Sequence, residues 1–156
     1  MFLNALLIGV IGTLISDLII VGMNRLFKTS SLDFSWVGRW FLYMMKGQYQ
    51  HHTILQSPAI EGEKPFGWLM HYVIGILIAW IMLLLYNNVF TGINPYLYAL
   101  IFGVITVIFP FFIMQPAFGF GVMASKTPFP KIARMRSLLS HLYFGIGLCF
   151  AWLLVI

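Results

Sequence analysis

Residues 66–86 read FGWLMHYVIGILIAWIMLLLY, a run of 21 residues without a charged side chain. An α-helix rises about 1.5 Å per residue and needs about 20 apolar residues to cross the ~30 Å hydrocarbon layer of a membrane. This stretch is therefore long enough to span a bilayer. Three more segments share its length and apolar character, and they cover about residues 2–23, 95–114 and 138–156.

The composition of the whole chain agrees with a polytopic membrane protein. Of its 156 residues, 61% are hydrophobic and only 8% are charged, whereas soluble domains carry about 25% charged residues. We therefore expect an all-α membrane protein with four transmembrane helices, folded as a single domain over residues 1–156.

The basic residues indicate the orientation of the chain. All nine Lys and Arg lie in the two loops that follow the first and third apolar segments, while the loop at 87–94 is uncharged. The positive-inside rule places both basic loops in the cytoplasm and both termini outside, in a bacterial inner membrane. The net charge of +5 thus indicates contact with the bilayer and its anionic phospholipid headgroups, and no nucleic acid. A homodimer is compatible with so small a bundle.

The first basic loop contains a candidate amphipathic helix over about residues 32–46, LDFSWVGRWFLYMMK. Ser31 can cap its start, and large apolar side chains alternate there with Arg39 and Lys46. Such a helix is suited to lie on the inner leaflet of the membrane. The alternative is a helix that packs on the cytoplasmic ends of the bundle.

Two pairs of similar strings indicate an internal repeat. Residues 5–11 (ALLIGVI) match residues 99–105 (ALIFGVI) at five of seven positions, and residues 71–76 (HYVIGI) match residues 141–146 (HLYFGI) at His, Gly and Ile. These matches predict two parallel copies of a helix–loop–helix unit. The alternative is convergence among apolar sequences.

Several polar side chains lie inside or at the ends of the apolar segments and form a candidate site. A carboxylate at the bilayer centre costs about 2.5–3.5 kcal/mol on insertion scales, so Asp17 needs a partner. Small residues follow His71 and His141 at four-residue spacing, which turns both imidazoles inward. With Gln115 these residues are expected to form one layer near the cytoplasmic third of the bundle. A ligand-binding layer, a purely structural polar clasp, and a catalytic or metal-binding layer are the three interpretations.

Further residues are expected to extend this site. Ser125 is a candidate for its lining, and Arg39, Arg134 and Arg136 are expected to attract an anionic headgroup or solute. Prolines at 110 and 116 predict a kink or break near Gln115, after which residues 116–125 form either a re-entrant piece or an interfacial loop.

Metal and cofactor signals are weak, and no cofactor is predicted. The polar loop offers His51, His52, Glu61 and Glu63 as possible zinc ligands, but the spacing of a helical zinc motif is missing. Two inward histidines could also ligate a haem.

Five short motifs stand out along the chain. They are Gly38-Arg39-Trp40, Gly67-Trp68 with His71-Tyr72, Met114-Gln115-Pro116 with Gly119 and Gly121, Ser125 with Pro128 and Pro130, and Arg136-Ser137 with His141 and Gly145. These motifs resemble those of one bacterial family, a domain-of-unknown-function family of small four-span inner-membrane proteins. The resemblance implies the fold and the membrane but no activity, so it transfers no catalytic residue.

The sequence therefore favours binding or transport of a small molecule or lipid through a polar cavity that opens to the cytoplasm. One alternative is an intramembrane enzyme that acts on a lipid-like substrate, with Asp17 or His71 as general base. Another is a structural or accessory membrane protein. An enzyme is the less favoured of these classes, and the substrate is not readable from the sequence.

Overall fold

A computed structural model of the protein describes residues 1–29 and 32–156, and all regular structure within them is helical. The predicted all-α fold is confirmed. Six α-helices occur in the described residues: α1 Phe2–Phe27, α2 Phe34–Met44, α3 Glu63–Leu85, α4 Pro95–Ile105, α5 Gln115–Ala117 and α6 Pro130–Val155.

Four helical segments, here called spans 1 to 4, are long and apolar enough to cross a membrane. The predicted number of spans is confirmed, and the arrangement is that of a multi-pass membrane protein. Span 2 extends beyond α3 because a π-helical turn, Tyr86–Phe90, continues it. The spans are Phe2–Phe27, Glu63–Phe90, Pro95–Ala117 and Pro130–Val155.

Short polar side chains determine where two of the helices begin. The Oδ1 atom of Asp33 accepts a hydrogen bond from the Ser35 N–H at 2.9 Å and caps α2. Asn94 caps α4 in the same way by accepting from two N–H groups of its first turn. Each cap satisfies backbone donors that the helix leaves without an internal partner. The cap expected at Ser31 lies outside the described residues, and the location of α2 at a membrane interface stays a prediction.

Span 3 is irregular in its second half because of its two prolines. After α4 ends at Ile105, a π-helical turn covers Pro110–Met114, and the short α5 ends at Ala117. A proline has no N–H to donate, so Pro116 cannot continue a regular ladder of hydrogen bonds. Beyond it the chain turns through Gly119 and Gly121, both with positive φ.

The chain divides into two compact units. Unit 1 comprises Met1–Ser31, Tyr72–Thr106 and Leu138–Ile156, and unit 2 comprises Leu32–His71 and Val107–Ser137.

Unit 1 contains a core of small and branched apolar side chains, among them the fully buried Ala5, Ile8 and Leu148. Its helices approach closely at glycines. A Cβ added at Gly9 would overlap the backbone of Ile76, and one added at Gly103 would overlap the backbone of Gly145. Small residues at such crossings allow membrane helices to pack backbone to backbone.

The two glycine crossings bear on the predicted repeat. The strings that suggest the repeat align Gly9 with Gly103 and Gly75 with Gly145. Gly9 lies beside the Gly75 carbonyl, and Gly103 lies against Gly145. The crossings therefore fall at equivalent positions, although the repeat itself stays a prediction.

Unit 2 contains a smaller core in which Ile54 and Phe118 are fully buried. Residues 48–60, here called the strap, pack along the end of span 3 and the segment that follows it. The His51 N–H donates to the Ala117 carbonyl and the Ile54 N–H donates to the Phe118 carbonyl, both at 2.9 Å. A Cβ at Gly119 would overlap the His52 carbonyl, so the strap can dock only because that position is glycine.

Candidate functional site

One polar pair in unit 1 joins spans 1 and 2. The Tyr72 hydroxyl donates to the Asp17 carboxylate at 3.2 Å. Gly9, Thr13 and Asp17 lie at four-residue spacing on one face of α1, and Tyr72 shares a face of α3 with Gly75. The glycine crossing between these helices therefore brings the phenol within reach of the carboxylate.

A second polar pair in unit 1 joins spans 3 and 4. The Thr106 hydroxyl donates to the Gly103 carbonyl at 2.6 Å and lies 2.9 Å from His141 Nδ1. Since a hydroxyl has one hydrogen and Thr106 gives it to the carbonyl, Nδ1 of His141 must be the donor to Thr106. This assigns a proton to Nδ1 of the imidazole.

The two pairs occupy comparable places beside a glycine crossing, but they are not copies of each other. The alignment that relates Gly9 to Gly103 relates Asp17 to Phe111. Any function of the carboxylate therefore belongs to span 1 alone. Thr106 is buried with 3% of its surface exposed, which keeps the His141 pair inside unit 1.

Three predicted site residues lie in unit 2. His71 packs among aromatic rings, with its centroid 4.3 Å from that of Phe34 and 5.8 Å from that of Trp68. Gln115 is buried and donates from Nε2 to the Ser137 hydroxyl at 3.0 Å. Ser125 is exposed at the end of the short 3₁₀ turn that follows Gly121.

A further predicted residue of unit 2, Arg39, forms an internal ion pair. Its guanidinium binds Glu63 through two parallel hydrogen bonds, Nε to Oε2 at 2.7 Å and Nη2 to Oε1 at 2.6 Å. Nη1 donates to the carbonyls of Ile54 and Ser57. The guanidinium thus ties α2, α3 and the strap together, and the Glu63 carboxylate raises the pKa of Arg39 above its usual value.

Two glycines position this ion pair. A Cβ at Gly38 would overlap the Glu63 carbonyl, and a Cβ at Gly67 would overlap the Phe34 carbonyl. The backbones of α2 and α3 therefore touch, which places Arg39 opposite Glu63. Such bidentate Arg–carboxylate pairs are stronger and more directional than ordinary hydrogen bonds.

The strap carries a second buried polar cluster around His51. Its Nδ1 lies 2.7 Å from the Ser57 hydroxyl and 3.3 Å from the Gln48 amide nitrogen. Burial, together with the nearby charge of Arg39, lowers the pKa of His51 below its usual value. Neither this cluster nor the Arg39 ion pair was predicted from the sequence as a set of contacts.

The weak zinc candidates have other surroundings. Glu63 binds Arg39 and His51 binds Ser57, while His52 and Glu61 are exposed. Within residues 1–29 and 32–156, no three His, Cys, Asp or Glu side chains are placed to hold a metal ion.

The predicted site residues divide between the two units. Unit 1 holds Asp17 and His141, which are hydrogen-bonded to Tyr72 and Thr106, two residues that were not predicted as part of the site. The glycine spacing was the signal that could have found Tyr72, because it precedes Gly75 by three residues. The exposed Arg136 and the other predicted residues belong to unit 2. The expectation that Asp17, His71, Gln115 and His141 form one polar layer stays a prediction.

The protein is of the small polytopic helical membrane class, as its four apolar helical spans, its glycine crossings and the polar pairs within the spans indicate. Residues 6–155 match the family described as Protein of unknown function (DUF2938). Because the match covers nearly the whole chain, the protein belongs to this family, which confirms the resemblance seen in its motifs. No curated protein and no solved structure matches the chain.

Proposed function

We propose that the protein binds, and moves across or along the membrane, a small polar molecule or a lipid whose polar group contacts the side chains of unit 1. The observation that supports this most is the pair formed by Asp17 and Tyr72 inside apolar spans. Ionisable residues in membrane spans are costly and commonly mark a pathway for substrates, ions or protons.

The chemistry of the two pairs suits a ligand with both donors and acceptors. The Asp17 carboxylate accepts, the Tyr72 and Thr106 hydroxyls both donate and accept, and the His141 imidazole has two ring nitrogens that can form hydrogen bonds. Such a ligand can replace the bonds within each pair. The bacterial inner membrane, the cytoplasmic position of the basic loops, and contributions from His71, Gln115 and Ser125 are part of the proposal.

A binding screen with matched tyrosine variants tests the proposal. The detergent-purified protein is screened by thermal shift against glycerol 3-phosphate, phosphoethanolamine, small carboxylic acids and small amines. For any compound that binds, Tyr72→Phe and Asp17→Asn are expected to weaken the affinity about 10-fold or more, because a hydrogen bond to a charged group contributes about 1.5–3 kcal/mol.

Tyr98→Phe is the matched control. The Tyr98 hydroxyl is also buried in unit 1, but it donates to the Met82 carbonyl at 3.2 Å and not to an ionisable group. This variant should leave the affinity within about two-fold of the wild type. Equal losses in Tyr72→Phe and Tyr98→Phe would indicate a general packing effect, and full affinity in Asp17→Asn would exclude the proposed site.

A further inference from the structure

The carboxylates of this chain are distributed very unevenly. All four Asp and Glu lie within the first 63 residues, and residues 64–156 contain five Lys and Arg but no acidic residue. The first basic loop, defined here as residues 28–65 so that it includes the first turn of α3, carries Asp33, Glu61 and Glu63. The second basic loop, defined here as residues 118–137 so that it includes the first turns of α6, carries only positive charges.

The structure makes the two basic loops still less alike. In the first loop, Arg39 has only 9% of its surface exposed and is neutralised by Glu63. In the second loop, Lys126, Lys131 and Arg136 are exposed. No carboxylate within that loop can neutralise them. Arg134 differs from these three because its Nε donates to the Met123 carbonyl at 2.8 Å.

Large apolar side chains are exposed beside these cations. Phe129 is 70% exposed, Met135 is 58% exposed and Ile132 is 51% exposed. A shallow depression of about 550 Å³ is lined by Phe129, Lys131 and their neighbours. Cations interleaved with exposed apolar side chains are typical of segments that lie in the headgroup region of a membrane. This basic surface consists of Lys126, Phe129, Lys131, Ile132, Met135 and Arg136.

We propose that the basic surface binds anionic phospholipids, with its exposed cations at lipid phosphates and Phe129 against the acyl chains. Charge complementarity supports this occupant, since the phosphate supplies the negative charge that the loop itself lacks. The exposed aromatic ring favours a lipid over a free phosphate ion. The proposal does not depend on ligand binding by Asp17 and Tyr72, because it concerns a different unit of the chain.

The test compares two double variants that remove the same charge. The full-length protein, purified in a zwitterionic detergent, is titrated with short-chain phosphatidylglycerol, and bound lipid is counted by native mass spectrometry. Lys126→Gln with Lys131→Gln should raise the apparent Kd about five-fold for each lysine removed, or roughly 25-fold in all. Lys46→Gln with Lys64→Gln removes two exposed lysines of the first loop and should change the apparent Kd less than about two-fold.

Two further measurements identify the source of the phosphate. Phe129→Gln should weaken phosphatidylglycerol binding while leaving any binding of inorganic phosphate unchanged, and phosphatidylcholine should bind weakly to every variant. Equal effects of the two double variants would overturn the proposal, because they would indicate net charge alone. Inorganic phosphate that binds as tightly as the lipid would overturn it in favour of a free anion. An acidic polypeptide retained only through Lys126 and Lys131 would replace the lipid by a protein partner.

Discussion

The imidazole of His51 is held in a neutral form by its surroundings. Its Nδ1 atom lies 3.3 Å from the Gln48 amide nitrogen and 2.7 Å from the Ser57 hydroxyl, which itself donates to the Thr53 carbonyl at 3.3 Å. Nε2 is buried without a hydrogen-bond partner among the described residues. A second proton would place a positive charge in this buried position near Arg39, which explains the direction of the pKa shift.

Docking of the strap should therefore weaken in acid. When the strap is released, His51 takes up a proton below about pH 6.5, whereas the docked imidazole does so only at lower pH. The released form binds more protons in that interval, so docking is most stable above about pH 6.5. Docking loses stability as the pH falls through the lowered pKa. The stability of docking can be measured by hydrogen exchange of the Ile54 N–H, which donates to the Phe118 carbonyl. The measured rates are corrected for the intrinsic exchange rate at each pH.

Variants at two adjacent histidines separate this effect from general acid sensitivity. His51→Asn keeps a hydrogen-bonding group near the position of Nδ1 but does not titrate, so the protection of the Ile54 N–H should become independent of pH between about 5 and 7.5. The free energy of opening at the Ile54 N–H should be about 1 kcal/mol lower than in the wild type, because asparagine forms a poorer hydrogen bond than the imidazole at this position. His52 is exposed, and His52→Asn should keep the wild-type pH dependence. The opposite pattern would contradict the role given to His51.

At the scale of elements, glycines rather than large side chains decide how the helices of unit 1 cross. At Gly103, a methyl group would overlap the backbone of Gly145, and a backbone cannot rotate away as a side chain can. Overpacking of this kind typically costs about 1–3 kcal/mol. The crossing between spans 3 and 4 also holds Thr106 beside His141, so its geometry matters for the candidate site.

Gly103→Ala should destabilise the protein by about 1–3 kcal/mol, measured by unfolding in mixed micelles of increasing SDS content. Gly22→Ala is the matched control, because Gly22 lies in α1 and a Cβ there meets nothing within 4 Å. Alanine favours helix over glycine by up to about 1 kcal/mol, so this control should be neutral or stabilising. Similar losses in both variants would mean that close approach at Gly103 is not the cause.

The helices and spans could be predicted because their signals are local. The length and composition of residues 66–86 predict a helical span, and Pro116 predicts a break in span 3 because its missing N–H interrupts the hydrogen-bond ladder there. The contacts of the candidate site could not be predicted in the same way. Asp17 and Tyr72 are 55 residues apart, and no periodic pattern relates residues at such a separation.

The strap shows the same limit for a loop. Its proline and its polar residues indicated a loop correctly, since the structure has only turns there before α3 begins at Glu63. Nothing local revealed that Arg39 pairs with Glu63, 24 residues away. The fully buried Ile54, an apolar residue in a polar stretch, was the available signal that this loop docks on the rest of unit 2.

At the scale of the whole molecule, the remaining prediction is the orientation in the membrane. The uncharged loop between spans 2 and 3 should face outward, and the basic loop between spans 3 and 4 should face the cytoplasm. The chain has one cysteine, Cys149, so Cys149→Ser gives a background without thiols. In that background, Gly92→Cys and Lys126→Cys each introduce one exposed thiol, and a Cβ at Gly92 meets nothing within 4 Å.

A membrane-impermeant maleimide applied to intact cells from outside should label Gly92→Cys fully and Lys126→Cys only after the membrane is permeabilised. In Lys126→Cys this loop keeps three positive charges and no carboxylate, so moving it outward would carry three positive charges across the membrane against the potential. Labelling of both thiols in intact cells would therefore indicate a mixed orientation, and the reverse pattern would invert the topology. An inverted topology would also remove the anionic inner leaflet as the source of lipid for the basic surface. The expected topology places that surface where anionic headgroups are concentrated.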